Sequence, residues 1–159
     1  MLKRKTGDLL SIARQGEFDV IVHGVNCFCT MGSGIARQIK EEYPEVYAMD
    51  KLTVKGDNHK IGTFNYVTTK DGFVIVNAYT QYDFNKYGTI IDKFEYVGFQ
   101  RILNDLLKEF PDGTKFGFPY IGMGLAGGNK EKIIAMIEDF SQKVENQGGE
   151  VTLVEYADI

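Results

Sequence analysis

The sequence predicts an α/β protein, a three-layer α/β/α sandwich built on a central mixed sheet of about six strands. Three observations carry this. Short β-branched runs alternate along the chain with longer stretches of helical period. Two of the runs meet at Asp71-Gly72, residues suited to a tight hairpin, so an antiparallel pair joins the alternating order. The second of these runs, "GFVIVNAYT" (72–80), is almost continuously apolar, as a strand covered on both faces must be.

In chain order, a first strand ends before Gly7, and Asp8 stands where a helix N-cap would precede "LLSIA". "DVIVH" (19–23) reads as a buried strand. Residues 34–43 carry Ile35, Ala36, Ile39 and Tyr43 at helical spacing, and Pro44 is expected to close that helix. "KIGTFNYVTTK" (60–70) pairs with 72–80 in the hairpin. Between 94 and 110, Phe99, Ile102, Leu103, Leu106, Leu107 and Phe110 define an amphipathic helix. "KFGFPYIG" (115–122) is expected as a strand. Ile133, Ile134, Ile137, Phe140 and Val144 mark a last helix, ended by Gly148-Gly149. "VTLVEY" (151–156) closes the sheet.

The 159 residues show no repeat, low-complexity tract or linker, so a single domain over 1–159 is expected. A net charge of -4 disfavours a groove that tracks a nucleic-acid backbone, which wants an excess of Lys and Arg. A small anionic ligand remains compatible, because backbone N–H groups and helix N-termini bind phosphate without net positive charge. "MLKRKTGDLL" lacks the apolar core of a signal peptide, and no run approaches the roughly 18 apolar residues of a membrane span. Two cysteines at C-x-C spacing do not make a disulfide framework. Together these point to a reduced cytoplasmic protein with no membrane partner.

The chemistry-bearing stretch is "HGVNCFCTMGSGIA" (23–36). His23, Cys27 and Cys29 offer three potential metal ligands, but the other histidine, His59, sits alone in a polar loop, so no metal is expected. A cysteine nucleophile would need a paired base, for which His23 is available; packing is the plainer role for both thiols. A ligand loop is the third reading. "TMGSGIA" (30–36) and "GMGLAGGN" (122–129) each follow a strand and precede a helix. Glycines there let the backbone approach a ligand closely, and N–H groups leading into a helix favour phosphate. Two such loops suggest a diphosphate held between them. Neither is a Walker A loop or a dinucleotide fingerprint.

"GDLL" (7–10), Asn26 at the end of "VIVHGVN", "MGSGIA" and "PYIGMGLAG", in this order and spacing, resemble the macrodomain family, the ADP-ribose-binding fold, over nearly the whole chain. The similarity is strongest to the branch of ADP-ribose 1″-phosphate phosphatases, terminal glutamyl ADP-ribose glycohydrolases and macrodomain antitoxins acting on DNA. The resemblance implies that Asp8 accepts a hydrogen bond from the adenine amino group, with the Leu9 backbone beside it. It places Asn26 on the distal ribose. Gly32, Ser33, Gly34 and Ile35 would form the first phosphate and ribose loop, and Gly122, Met123, Gly124, Leu125, Ala126 and Gly127 the second. Tyr156 would line the adenine site.

Two departures bear on mechanism. Gln81 stands where the glycohydrolases carry a nucleophilic lysine, and Ala126 where they carry an aspartate. Gln cannot form a Schiff base and Ala cannot move a proton. The phosphatase-like members share the "H-x-x-N-C" pattern, which makes His23 a candidate acid/base, or else a structural residue closing its strand. Asp83 is a second acid/base candidate, or else a solvated loop carboxylate. The function implied is ADP-ribose binding with phosphate release from ADP-ribose 1″-phosphate, needing no cofactor. The alternatives are a non-catalytic ADP-ribose reader, or an ADP-ribosyl hydrolase working on protein or nucleic acid without the family lysine.

Overall fold

A computed structural model describes residues 1–83, 93–123 and 127–157. Six strands, β1 (Lys3–Gly7), β2 (Val20–Val25), β3 (Phe64–Thr68), β4 (Val74–Tyr79), β5 (Lys115–Phe118) and β6 (Glu150–Tyr156), form one sheet in the order β1-β6-β5-β2-β4-β3. Every neighbouring pair is parallel except β3–β4, the expected hairpin. Gly72, at φ +95°, makes its turn.

Among the described residues five α-helices cover the sheet: α1 (Leu9–Arg14), α2 (Gly34–Glu42), α3 (Pro44–Lys51), α4 (Tyr96–Glu109) and α5 (Lys130–Asn146). The two-residue period of the strands decides which layer each side chain joins. Val20 and Val22 of β2, Val76 and Ala78 of β4, and Phe116 and Phe118 of β5 pack with Phe99, Ile102 and Leu106 of α4 and Ile133, Ile137 and Phe140 of α5. Ile21 and Val25 of β2, with Ile75 and Tyr79 of β4, face Leu10 of α1, Ile39 of α2 and Val46 of α3. The central strands are apolar on both sides because both sides are covered. This is the mixed-sheet α/β sandwich the sequence predicts.

Several boundaries differ from the sequence expectation; β2 runs two residues past His23, and β3 begins at Phe64 rather than Lys60. Pro44 does end α2, but it also opens α3, which the sequence reading did not anticipate. Proline lacks an N–H, and the first turn of a helix has no partner for one, so the residue that stops one helix starts the next. Tyr43 between them leaves the helical region, at φ -133° and ψ 70°. The strand expected through residue 122 stops at Phe118, and Ile121 N–H turns back to Pro119 O at 2.7 Å. α4 begins at Tyr96, not at Phe94, whose backbone bridges to Gln81. Among the described residues no helix is long and apolar enough to cross a membrane.

The two glycines after α5 serve different needs. Gly148 holds φ +81°, a conformation unfavourable for other residues, whereas a Cβ on Gly149 would lie 2.3 Å from the backbone oxygen of Thr114. Backbone cannot swing aside as a side chain can. Gly149→Ala is therefore expected to lower the unfolding free energy by about 1–3 kcal/mol in urea denaturation.

Candidate functional site

Five of the strands run parallel, so β1, β2, β4, β5 and β6 deliver their carboxyl ends to one edge of the sheet, where ligands of such folds bind. A cavity of about 410 Å³ opens there. Gly7 and Leu9 line it from the β1–α1 junction, Gly34, Ile35 and Gln38 from α2, Pro119 from the end of β5, and Val154 and Tyr156 from β6.

Asp8 caps α1, its Oδ1 accepting the Ser11 N–H at 3.1 Å, while its Oδ2 accepts from Gln38 Nε2 at 3.0 Å. The loop between β2 and α2 is held by its own polar groups. Asn26 Oδ1 accepts the Phe28 N–H at 2.8 Å, and Asn26 Nδ2 donates to Thr30 Oγ1 at 2.7 Å. Tyr47 Oη donates to Cys29 O and Lys40 Nζ to Thr30 O. These bonds hold Cys29 at φ 56° and Met31 at φ 41°, left-handed conformations that side chains other than glycine adopt at a cost. Gly32, Ser33 and Gly34 are exposed at the start of α2, with Gly34 at φ 57°.

The second glycine loop starts beside it. Gly122 has φ +73°, and a Cβ there would meet the Phe94 ring at 2.3 Å. Gly128 N–H donates to Gly122 O at 2.8 Å, closing the loop's base, and Asn129 caps α5. Met123 and Gly127 flank its centre, whereas Gly124, Leu125 and Ala126 lie outside the described residues. After β4, Gln81 Nε2 donates to Asp83 O at 2.7 Å, and Lys93 Nζ pairs with Asp83 Oδ1 at 2.8 Å. Tyr82 O accepts the Cys27 N–H at 2.8 Å, which ties this strip to the first loop.

No family model matches the chain. A curated relative, a 17.5 kDa protein of Enterobacteria phage T4 from the tk-vs intergenic region, itself uncharacterized, is 30% identical over 154 residues, covering 91% of this chain and 93% of its own length. The chain belongs to the family of that phage protein. Among solved structures, the macrodomain of Mycobacterium tuberculosis DarG superposes with a TM-score of 0.71 at 24% identity, over 100% of this chain and 99% of its own. Thermosipho africanus DarTG in complex with ADP-ribose superposes at 0.71 and 15% identity, over 98% of this chain and 42% of that one. The fold is that of the macrodomains.

Within the macrodomain fold, Leu9, Gly34, Ile35 and Tyr156 come together on the cavity, while Asp8 reaches it through Gln38. Asn26, Gly32, Ser33, Gly122, Met123 and Gly127 sit on the two loops at the same sheet edge, and Gln81 and Asp83 beyond β4. Gln38, Pro119 and Val154 escaped the sequence reading. Gln38 had a signal, since it follows Ile35 by three residues and so shares its helix face.

His23, the first acid/base candidate, does not line the cavity. It is fully buried in β2, opposite Asn77 of β4. Its Nε2 lies 2.6 Å from Asn77 Oδ1, and Asn77 Nδ2 is already turned toward Val46 O and Asn65 Oδ1, so the imidazole is the donor. Burial lowers its pKa to about 4, only partly opposed by that bond. The ring is neutral at pH 7 and closed to solvent. Cys27 is as deeply set: its Sγ faces Gln81 O, and burial pushes the thiol up to about 11, which removes it as a nucleophile. Cys29 Sγ turns instead to Asp50 O, away from His23.

The lowered His23 value makes stability depend on pH. The unfolded chain takes up the proton near pH 6.5 and the native chain only near pH 4, so stability is full above 6.5 and is lost as pH falls toward 4. Between pH 7.5 and 5 this amounts to about 2 kcal/mol from the one group. Urea unfolding of wild type and His23→Gln at both pH values measures it: the variant is expected to lose that much less than wild type.

Proposed function

We propose that the chain binds ADP-ribose, or a derivative substituted at its 1″ position, at the carboxyl ends of the parallel strands, and does so as one domain spanning 1–159. The observation that carries this is the placement of an apolar cavity, walled by Leu9, Ile35, Val154 and Tyr156, directly against the start of α2. An aromatic base fits such walls, and a diphosphate fits a helix start whose N–H groups lack partners. The adenine would lie against Tyr156 and the Leu9 backbone. The diphosphate would span Gly32, Ser33, Gly34 and Ile35 and the loop of Gly122, Met123 and Gly127. The distal ribose would then point toward Asn26 and Gln81. The complex of Thermosipho africanus DarTG with ADP-ribose supports the choice of ligand, since that protein shares the fold.

For turnover, we assign release of phosphate from ADP-ribose 1″-phosphate. With His23 buried, we assign proton removal from the attacking water to Asp83, held by Lys93 beside Gln81. A reader that binds without turnover is the second reading. It is favoured by Gln81, an amide where covalent catalysis would need an amine.

Isothermal titration with ADP-ribose and a phosphate-release assay on the 1″-phosphate test both steps. Saturable binding is expected, and Asp83→Ala is expected to lower kcat about 10²- to 10⁴-fold with ADP-ribose affinity retained. No heat at millimolar ADP-ribose sinks the binding assignment. Binding with no phosphate release by wild type removes the phosphatase assignment and leaves the reader or an ADP-ribosyl hydrolase.

A further inference from the structure

We infer that Cys29 and Lys60 form a redox modification site, in which a hydroperoxide oxidises the Cys29 thiol and Lys60 Nζ captures the product as a sulfenamide cross-link. The inference is independent of the ADP-ribose reading, and neither residue lines the cavity. Lys60 ends a short turn, Asn58–Lys60, and is only 8% exposed. Among the described residues no carboxylate ion-pairs with it. Its Nζ donates to Thr53 Oγ1 at 2.9 Å, lies over the Tyr79 ring, and approaches Cys29 Sγ at 3.8 Å. Thr53 Oγ1 is in turn 3.5 Å from that sulfur, so amine, hydroxyl and thiol close a triangle. A buried amine with no acidic partner, already in contact with sulfur, needs little reorganisation to react with it.

The two cysteines differ in what they can do. Cys27 is fully buried with its Sγ on Gln81 O, and burial pushes its thiol up to about 11. Cys29 is half-buried, so a small oxidant reaches it. One hydroperoxide oxidises the Cys29 thiol by two electrons. An S–O bond forms, the peroxide O–O bond breaks, and water leaves when the oxidant is H2O2, giving the sulfenic acid. Lys60 Nζ, having given one proton to water, then attacks the sulfur. The N–S bond forms as the S–O bond breaks, and the departing oxygen leaves as water with a proton from the amine. No second oxidant is needed, since sulfenic acids condense with nitrogen. The bond joins residues 31 apart and ties the first ligand loop to the segment before β3. It also takes Cys29 off the path to sulfinic acid, which thiols do not reverse. A thiol reductant attacks the sulfur and frees the amine; a second thiol frees Cys29 as the disulfide of the reductant forms.

The test is peptide mapping by mass spectrometry after H2O2 treatment of wild type, Cys27→Ser and Lys60→Arg. Arginine keeps a cationic donor for Thr53 but is a poor nucleophile. Thermal melting checks that the variants are folded. Wild type and Cys27→Ser are expected to yield a peptide pair joining residue 29 to residue 60. The pair is lighter by H2 than its separate peptides, uncut by trypsin after Lys60, and released by dithiothreitol. In Lys60→Arg the pair is expected to be lost and Cys29 to run on to sulfinic acid. Wild-type Cys29 recovered unmodified, as sulfinic acid or in a disulfide overturns the inference, and that readout needs no variant to fold. A linked pair that keeps one peroxide oxygen overturns the direct N–S bond. A folded Lys60→Arg whose Cys29 resists over-oxidation as well as wild type overturns the protective role of Lys60.

Discussion

Parallel pairing of β2 with β4 on one side and β5 on the other is the constraint on which the site depends. Parallel strands end together, so the loops after β2, β4 and β5 leave from one edge and share it with the starts of α2 and α5. Beyond that edge the ladder stops and each loop must satisfy its own backbone groups. The three loops do so partly through one another. Cys27 N–H reaches Tyr82 O, Gly56 N–H reaches Cys27 O, and Phe94 fills the space that a side chain on Gly122 would need. The first loop adds the Asn26 amide as an internal strut. A site assembled this way is shaped before any ligand arrives, which reduces the ordering that binding must impose.

The same constraint explains the polar residues inside the sheet. β2 and β4 are covered on both faces, so polar side chains there pair across the strands: His23 and Asn77 sit in register and share one hydrogen bond, His23 Nδ1 finding no partner among the described residues. A second buried group lies next to them: Tyr79 Oη donates to Asp50 Oδ1 at 2.6 Å, and Lys60 Nζ donates to Thr53 Oγ1 at 2.9 Å while lying over the Tyr79 ring. Burial raises Asp50 above the usual carboxylate range, and raises Tyr79 as well. Cys29, with its Sγ on Asp50 O, hangs the ligand loop from this cluster. These groups act as fasteners for α3 and the first loop, at a depth from which they do not reach the cavity.

That depth is also what the sequence could not reveal. Layering was legible, because apolar period is local: Val20 and Ile21 point to opposite faces whatever surrounds them. Pro44 was ambiguous, since one chemical fact, a missing N–H, both stops a helix and starts one. "KFGFPYIG" looks like one strand because Tyr120 and Ile121 suit a strand, but Pro119 cannot donate to a neighbour and the ladder ends there. For His23 the undecided alternatives were reactive group or strand closure, and the choice turns on Asn77, 54 residues away. Asp8 suits a helix cap and a ligand contact alike: it does cap α1, and its other oxygen accepts from Gln38, a residue of the cavity lining.

α2 joins these strands of argument. Its first residue, Gly34, and Gln38, four residues on, both line the cavity. Four residues of α-helix advance roughly 6 Å, with no internal freedom to vary it. The helix is in turn fixed against the sheet by Ile39, fully buried against the β2 face, and its far end is fixed by the Tyr43 N–H on Ile39 O. Both lining positions are therefore carried by one rigid body, and any two groups of a ligand that touch them are held at a fixed span.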